Sequence, residues 1–303
     1  MKILVTGSNG LLGQKIIHAL MNDPDINLFA TSKGENRISD QSGYVYYPMD
    51  ITDPNEVTRV FDMVKPDVVI NTAAMTNVDA CEKDQELCWK INVDAVGNML
   101  EACKPHKAHF IHLSTDFVFD GKNGPYKEED AVGPLSHYAR SKVASEALVM
   151  KSSLPWAIAR TIIIYGVAEG MSRSNIVLWV KQALSSGETL RIVNDQYRMP
   201  TLAEDLADAC IRIAKRKATG IFHVSGDEMM NMVELAQQVA DFFGGDKSLI
   251  TEIETSSLNQ AAERPPVTGF VLDKAKKELG YKPHSFQEGL RILSEQLKKM
   301  PVG

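Results

Sequence analysis

Short apolar runs alternate with longer amphipathic stretches along the first half of the chain. The apolar runs predict strands at residues 2–5, 27–31, 44–48, 67–71 and 109–113. Stretches in which apolar residues recur every three or four positions predict helices at residues 11–21, 52–64 and 83–103. This alternation is typical of a parallel sheet covered on both faces. The pattern therefore predicts an α/β fold with a doubly wound, Rossmann-type parallel sheet.

The first predicted strand leads directly into a glycine-rich turn. Its G-x-x-G-x-x-G spacing is a variant of the common dinucleotide fingerprint. Gly7 would allow a sharp turn, Gly10 the approach of a pyrophosphate, and Gly13 close packing of the helix on the sheet. Such a turn can also be purely steric, so the strand and helix around it carry the prediction. The predicted cofactor-binding residues here are Gly7, Ser8, Asn9, Gly10, Leu11, Leu12 and Gly13.

The end of the second predicted strand bears on the choice between NAD and NADP. An acid usually binds the ribose 2′-OH of NAD at this point, whereas cations suit a 2′-phosphate. Here Ser32 and Lys33 follow the strand, with Arg37 close behind and no acid directly after it. These residues favour NADPH, with NADH possible. The alternative is that both cations are solvated loop residues, since Glu35 lies in the same loop.

The next two predicted strands complete the expected cofactor site. Polar or small side chains at the carboxyl end of a parallel strand allow a cofactor to pass close by. Beyond the third strand we expect contact with the adenine, and beyond the fourth we expect close passage of the cofactor. The residues predicted for these roles are Asp50, Ile51, Asn71, Ala73 and Ala74.

Composition excludes several classes of protein. The 303 residues are 44% apolar and 24% charged, and the net charge is −6. This acidic balance argues against a nucleic acid or an anionic membrane as partner. The four cysteines form no C-x-x-C pair, as expected for reduced thiols, and no metal site is predicted. Without an apolar run long enough to span a membrane, we expect a soluble, cytoplasmic protein.

A second group of polar residues follows the fifth predicted strand. The strand ends in Ser-Thr-Asp, and Tyr138 and Lys142 lie about two dozen residues further on. Four residues apart on a helix, they share one face, and an ammonium near a phenol should lower the pKa of the phenol. Thr115 could hold a substrate carbonyl beside Tyr138. Y-x-x-x-K alone is weak, but after a Ser-Thr strand end it predicts the catalytic residues Thr115, Tyr138 and Lys142.

The pattern becomes less regular beyond residue 166. Helices are predicted at residues 174–185, 202–215, 232–243 and 286–299, with short strands at residues 190–193 and 221–224. We expect residues 1–165 to form an NADP-binding domain, with a return of the chain near residues 190–225. Residues 166–303 would form a smaller, mainly substrate-binding portion. Candidate diphosphate ligands in it are Arg173, Asn175, Arg198 and Arg264.

These motifs resemble the extended short-chain dehydrogenase/reductase family over nearly the whole chain. Residues 6–13 match its cofactor turn, residues 71–74 its small-residue segment, and Thr115, Tyr138 and Lys142 its catalytic residues. Within the family, residues 76–82, 114–119, 195–197 and 200–201 are similar to the dTDP-4-dehydrorhamnose reductase branch. One departure concerns residues 160–166, which read Arg-Thr-Ile-Ile-Ile-Tyr-Gly where the family often has an aromatic residue. That segment borders the sugar, so the identity of the sugar stays open.

The resemblance implies NADPH-dependent reduction of a nucleotide-linked 4-keto-6-deoxy sugar. Tyr138 would donate the proton, Thr115 would bond the carbonyl oxygen, and Lys142 would hold the nicotinamide ribose. Tyr138 and Lys142 thus also count as cofactor-binding. The further residues implied at the substrate are Thr76, Val78, Asp116, Ile163 and Gln196.

Three alternatives and one partner accompany this interpretation. An epimerase or a dehydratase of nucleotide sugars uses the same scaffold, and the family is also similar to the non-catalytic β regulatory subunit of methionine adenosyltransferase.

The family commonly forms homodimers through the helix after the fourth strand and the helix with Tyr and Lys. Here these are residues 83–103 and 136–150, whose apolar residues spread beyond one stripe. We therefore expect a homodimer, the alternative being that the protein's own loops cover this surface.

Overall fold

The computed structural model describes residues 1–171 and 174–299. The strands within these ranges are β1 (Lys2–Thr6), β2 (Asn27–Ser32), β3 (Val45–Pro48), β4 (Val68–Asn71), β5 (His109–Thr115), β6 (Trp156–Thr161), β7 (Ile164–Tyr165), β8 (Leu190–Val193), β9 (Tyr197–Arg198), β10 (Thr201–Leu202), β11 (Gly220–His223), β12 (Met230–Asn231), β13 (Ile250–Ile253) and β14 (Val267–Thr268). The helices are α1 (Leu11–Leu20), α2 (Pro54–Val64), α3 (Val78–Lys83), α4 (Gln85–Trp89), α5 (Ala95–Cys103), α6 (His137–Lys151), α7 (Ile176–Ser185), α8 (Ala203–Arg216), α9 (Met232–Phe243) and α10 (Phe286–Lys299). None of these helices is long and apolar enough to cross a membrane.

A seven-stranded parallel sheet forms the centre of the molecule. Its strand order is β11-β6-β5-β4-β1-β2-β3. The chain moves outward from β1 to β3 and then restarts on the other side at β4. The doubly wound, Rossmann-type fold is thereby confirmed. In such sheets, ligands bind in the crevice between the two strands where the order reverses, here β1 and β4.

Helices cover both faces of this sheet because its strands are apolar on both sides. On β1, Ile3 and Val5 pack with α1 and α8, while Leu4 packs on the opposite face with α2 and α5. The side chains of all three strand residues are fully buried. Burial on both faces explains why the strands read as continuous apolar runs.

Smaller sheets build the rest of the molecule. β8 pairs with β13, β9 lies between β12 and β14, and β7 pairs with β10. A further apolar cluster fills the space under α7, α9 and α10. Of the two strands predicted within residues 190–225, only β11 joins the central sheet, since β8 is paired in its own two-stranded sheet.

The helical region predicted at residues 83–103 begins at α4 and continues, with one π-helical turn, to the end of α5. Asp84 separates α3 from α4 and accepts a hydrogen bond from the Leu87 N–H, which starts a new helix. A π-helical turn, Lys90–Asp94, then separates α4 from α5. It contains the buried Asn92, whose amide bonds to Met75 and Ser141. These polar contacts replace a regular helix with one that turns Asn92 inward.

Candidate functional site

The glycine turn lies at the carboxyl end of β1, against the segment that follows β4. Gly7 has φ +69°, and a Cβ there would lie 2.7 Å from the Ala73 nitrogen. A Cβ on Gly13 would lie 2.7 Å from Ser8 Cα and closer still to the Gly7 carbonyl oxygen. Gly13 therefore allows α1 to pack against the turn itself. Both positions need glycine, for conformation and for close approach.

The start of α1 has the polar groups that a dinucleotide requires. Gly10 precedes the helix and supplies no side-chain cap. The N–H groups of the first turn, which include those of Leu11 and Leu12, are therefore available to an anion. Within residues 1–171 and 174–299, the buried hydroxyls of Ser8, Thr31 and Ser114 have no hydrogen-bond partner. Ser8 follows β1, while Thr31 and Ser114 lie near the carboxyl ends of β2 and β5, so all three are at the same edge of the sheet. These residues fit a phosphate-bearing dinucleotide.

The predicted adenosine end of the site contains one cation already paired with an acid. Lys33 Nζ lies 2.7 Å from Asp50 Oδ2, and the lysine side chain is 81% exposed. Burial alone would raise the pKa of Asp50, but Lys33 and the donors of Thr52 outweigh it and lower the pKa to about 2. Ser32 ends β2 beside this pair. The site thus combines cations with one acid, Asp50, which follows the next strand along the chain, β3.

Arg37 is held from two directions. Its backbone N–H donates to Asn9 Oδ1 at 2.9 Å, and its guanidinium donates to the Gly170 carbonyl at 3.1 Å. Asn9 in turn donates to the Glu35 carbonyl at 2.7 Å. The structure therefore brings Arg37 next to the glycine turn, as a cofactor contact requires. Ile51, which was predicted to contact the adenine, is partly buried and packs against the apolar cluster that contains α2 and α5.

Asn71 connects β4 to β1 and to the small residues after it. Its Oδ1 accepts hydrogen bonds from Thr6 Oγ1 at 2.6 Å and from the Ala73 N–H at 3.3 Å. Ala73 and Ala74 are half-buried, and the backbone of Ala73 lies against Gly7 of the glycine turn. The small side chains leave this edge of the sheet open to a bound molecule.

The three predicted catalytic residues meet at the carboxyl end of β5. Thr115 ends the strand, while Tyr138 and Lys142 lie on the first turns of α6, which Ser136 caps through the Ala139 N–H. The Thr115 hydroxyl lies near enough to the Tyr138 phenol to lower its pKa. Lys142 Nζ donates to the Leu113 carbonyl at 2.8 Å. Two hydroxyls and an amine thus lie at the same carboxyl edge of the sheet as the glycine turn.

The pKa values of these groups differ from the expectation. Burial raises the pKa of Tyr138 well above its usual value. The nearby Thr115 hydroxyl opposes this rise, and the charge of Asp116 adds to it. The prediction that the pKa of Tyr138 is lowered was therefore wrong, because burial is the dominant cause. Burial also lowers the pKa of Lys142 to about 8, against the opposing effect of Glu146. Tyr138 is a protonated donor at neutral pH.

Two buried polar residues beside these groups were missed by the sequence analysis. Asn92 donates to Ser141 Oγ at 3.0 Å, and Ser141 donates to the Tyr138 carbonyl at 2.7 Å. His112 Nε2 lies 3.2 Å from Lys142 Nζ. The available signal was a polar residue inside an apolar helix for Asn92, and inside an apolar strand for His112.

A buried ion pair supports Thr115 from the side of the smaller sheets. Thr115 donates to Asp116 Oδ1 at 3.0 Å, and the Thr268 hydroxyl donates to the other carboxylate oxygen. Arg198 Nε lies 3.8 Å from this carboxylate. Burial raises the pKa of Asp116, while Arg198 lowers it. Gln196 accepts from Arg198 at 3.3 Å, so these predicted substrate residues contact one another.

The remaining predicted substrate residues are spread around this edge. Arg264 pairs with Asp79 at 2.7 Å, Asn175 caps α7 and donates to the Gly166 carbonyl, and Arg198 also donates to the Pro265 and Pro266 carbonyls. The structure therefore gives all three polar side chains partners within the chain. Val78 packs near Tyr138, Thr76 is exposed, Ile163 lies between the two main apolar clusters, and Arg173 lies outside the described residues.

Comparison with known proteins identifies the family. The model of the RmlD substrate binding domain matches residues 1–299. The chain is 30% identical to dTDP-4-dehydrorhamnose reductase of Aggregatibacter actinomycetemcomitans over 302 residues, with 96% and 97% of the two chains covered. It is 31% identical to methionine adenosyltransferase 2 subunit beta of Pongo abelii over 269 residues, covering 87% of this chain and 78% of the relative.

A solved structure agrees with these matches. The dTDP-4-dehydrorhamnose reductase of Bacillus anthracis, in complex with NADP, superimposes with a TM-score of 0.84 at 25% identity and covers 97% of this chain and 99% of its own. The predicted resemblance to the dTDP-4-dehydrorhamnose reductases is confirmed. The match over nearly all residues shows that the chain belongs to the RmlD substrate binding domain family.

Proposed function

We propose that the protein is an NADPH-dependent reductase of a nucleotide-linked 4-keto-6-deoxy sugar. The observation that carries this proposal is the placement of Thr115, Tyr138 and Lys142 at the same carboxyl edge of the sheet as the glycine turn. Support also comes from the relative and the solved structure, both of which are dTDP-4-dehydrorhamnose reductases. A dTDP-linked sugar is therefore the first substrate to test.

The residues divide the reaction between them. When bound, the dihydronicotinamide supplies a hydride. Tyr138 would donate its phenolic proton to the oxygen of the reduced carbonyl, and its raised pKa keeps that proton in place until then. The Thr115 hydroxyl would hydrogen-bond the same oxygen and orient the carbonyl. Lys142 would hold the nicotinamide ribose.

The proposed cofactor is NADPH because two cations lie near the glycine turn. Arg37 is fastened to that turn through Asn9, and Lys33 is largely exposed to an incoming phosphate. Asp50 competes for Lys33, which leaves Arg37 as the stronger candidate for the 2′-phosphate.

A second candidate is a cofactor-binding subunit without turnover. It is favoured by the 31% identity to methionine adenosyltransferase 2 subunit beta. The buried side chains of Thr115, Tyr138 and Lys142 favour the enzyme, because a binding protein needs none of these reactive groups. An epimerase or a dehydratase is a further alternative, which would return the hydride to the sugar.

The test is a turnover screen with purified protein, NADPH and the dTDP-, UDP- and GDP-linked 4-keto-6-deoxy sugars. We expect stoichiometric oxidation of NADPH with formation of the 4-hydroxy sugar, and its loss in the Tyr138→Phe variant. Conversion of a sugar without net NADPH oxidation would identify an epimerase. Tight NADPH binding without conversion of any sugar would favour the binding subunit.

A further inference from the structure

A chain of buried polar side chains joins the first strand of the sheet to Lys142. Thr6 Oγ1 donates to Asn71 Oδ1 at 2.6 Å, and Asn71 Nδ2 lies 3.1 Å from His112 Nδ1. His112 Nε2 lies 3.2 Å from Lys142 Nζ. The four residues are at most 2% exposed. Each of these buried hydrogen bonds needs one donor and one acceptor, so the position of the hydrogen in one bond limits its position in the next.

The hydrogen bonds of Asn71 determine the tautomer of His112. The Ala73 N–H can only donate, so the Asn71 atom that it contacts is the oxygen. The amide nitrogen of Asn71 therefore faces His112 Nδ1, which must accept. Burial and the neighbouring Lys142 hold the pKa of His112 well below its usual value, so the ring is neutral. A neutral ring that accepts at Nδ1 carries its hydrogen on Nε2.

The Nε2–H of His112 points toward the lysine end of the chain. Ser145 Oγ lies 3.0 Å from Nε2 and donates its own hydrogen to the Lys142 carbonyl, so it accepts from His112. Lys142 Nζ lies beside the same N–H and donates to the Leu113 carbonyl. The positive end of the imidazole dipole thus faces the lysine nitrogen, which disfavours an ammonium.

We propose that His112, whose hydrogen Asn71 keeps on Nε2, is a positioning residue that favours the neutral amine of Lys142 over its ammonium form. The consequence for turnover rests on the proposed function, whereas the tautomer and the ionisation of Lys142 are properties of the protein alone. A lysine that ionises near neutral pH can exchange a proton with the site, while one that stays charged acts only as a fixed cation.

Other groups around Lys142 act in both directions. Glu146 on the same helix favours the ammonium, although its carboxylate is bound by Arg160 of β6 at 2.8 Å. The Cys88 thiol of α4 also favours the charged form, and the phenol of Tyr138 lies one turn away on α6. Burial opposes all of these and is the largest cause of the lowered pKa.

The first test measures the tautomer in the unmodified protein. Nitrogen NMR of histidine-labelled protein, with the signal assigned through the His112→Phe variant, distinguishes a protonated from an unprotonated ring nitrogen. We expect His112 to be neutral at pH 7, with its hydrogen on Nε2. A hydrogen on Nδ1, or a doubly protonated ring, would overturn the proposal. This experiment needs neither turnover nor a folded Asn71 variant.

The second test reverses the tautomer. In Asn71→Asp, the carboxylate can still accept from Thr6 and Ala73, but toward His112 it can only accept. The hydrogen should move to Nδ1, so that Nε2 becomes an acceptor for the Lys142 ammonium. We expect the pKa of Lys142, followed by lysine-selective NMR, to rise by at least about one unit. A reversed tautomer with an unchanged Lys142 pKa would refute the role of His112.

A matched control is Asn27→Asp, the same change at an exposed position at the amino end of β2. It adds the same charge far from Lys142, so neither the tautomer nor the lysine pKa should change. Once a substrate is known, the pH profile of kcat provides an independent readout. An ionisation near pH 8 in the unmodified protein should move upward in Asn71→Asp and stay in place in Asn27→Asp. Lack of turnover would reject the proposed function while leaving both NMR results decisive for His112.

Discussion

Tyr138 combines two properties that the proposed chemistry needs from a single residue. Its phenol lies near the Thr115 hydroxyl, and burial keeps it protonated far above neutral pH. A donor of this kind gives up its proton only when charge develops on a nearby oxygen. The raised pKa is therefore compatible with proton donation to an alkoxide, although it differs in direction from the prediction.

Replacing Tyr138 with phenylalanine should separate binding from chemistry. The variant keeps the ring that packs with Cys81 and Cys88 but loses the donor, so we expect turnover to fall by about 100-fold or more. The dissociation constant for NADPH should change little, because the ring and the helix remain in place. Fluorescence titration and steady-state kinetics measure the two quantities. Retention of most of the activity would exclude Tyr138 as the proton donor.

The two cations near the second strand predict a preference for NADPH. We expect Arg37→Ala to weaken NADPH binding by roughly tenfold or more while leaving NADH binding nearly unchanged, because only NADPH has a 2′-phosphate. Lys33→Ala should have a smaller effect, since Asp50 already binds Lys33. Titration of each variant with both cofactors provides the measurement. Equal affinity of the unmodified protein for both cofactors would contradict this prediction.

At the scale of elements, the first strand, turn and helix act as one unit held by close contacts. Gly13 lies so near Ser8 that a side chain would push α1 away from the turn. Gly97, on α5, is the natural comparison because a Cβ there has no neighbour within 4 Å. Substituting each glycine in turn therefore distinguishes the need for space at Gly13 from the loss of stability that any glycine causes in a helix.

We expect Gly13→Ala to lower the free energy of unfolding by about 1–3 kcal/mol through overpacking, and to abolish cofactor binding. Gly97→Ala should instead raise the free energy of unfolding by about 0.5–1 kcal/mol, because alanine is the better helix former. Denaturant unfolding with and without NADPH measures both effects. A Gly13→Ala variant that binds NADPH normally would show that this close contact is not needed for the site.

At the scale of the whole molecule, α4 and α6 have apolar side chains exposed to solvent. Leu87 is 42% exposed and Trp89 39% exposed on α4, while Leu148 and Met150 on α6 are 37% and 43% exposed. The two helices adjoin, since the rings of Trp89 and His137 are 5.9 Å apart. We propose that these side chains contribute to a homodimer interface, as the resemblance implies.

Charged substitutions on both helices should dissociate this dimer. We expect the unmodified protein to sediment as a dimer at micromolar concentration, and a Trp89→Glu, Leu148→Glu variant as a monomer of 33.5 kDa. Met63→Glu is the matched control, because Met63 is 53% exposed but lies on α2. A purely monomeric unmodified protein would contradict the pairing. A dimer that persists in the double variant would place the interface elsewhere.

The sequence by itself determined the features that depend on neighbours along the chain. Short apolar runs defined the strands of the central sheet, period-3.6 patterns defined the helices that cover it, and the glycine spacing defined the turn at its edge. The four-residue separation of Tyr138 and Lys142 placed both on one face of α6, because that spacing is about one helical turn. Such features need no knowledge of distant residues, so they could be predicted.

Tertiary structure alone decided the contacts between residues far apart in sequence. The pairing of Asp50 with Lys33, of Arg264 with Asp79, and of His112 with Asn71 joins different elements, and no local pattern encodes it. The π-helical turn around Asn92 has the same origin, since the Asn92 amide bonds across to Ser141. Burial decided the direction of the Tyr138 pKa, because the cost of a buried charge depends on what the fold packs around it.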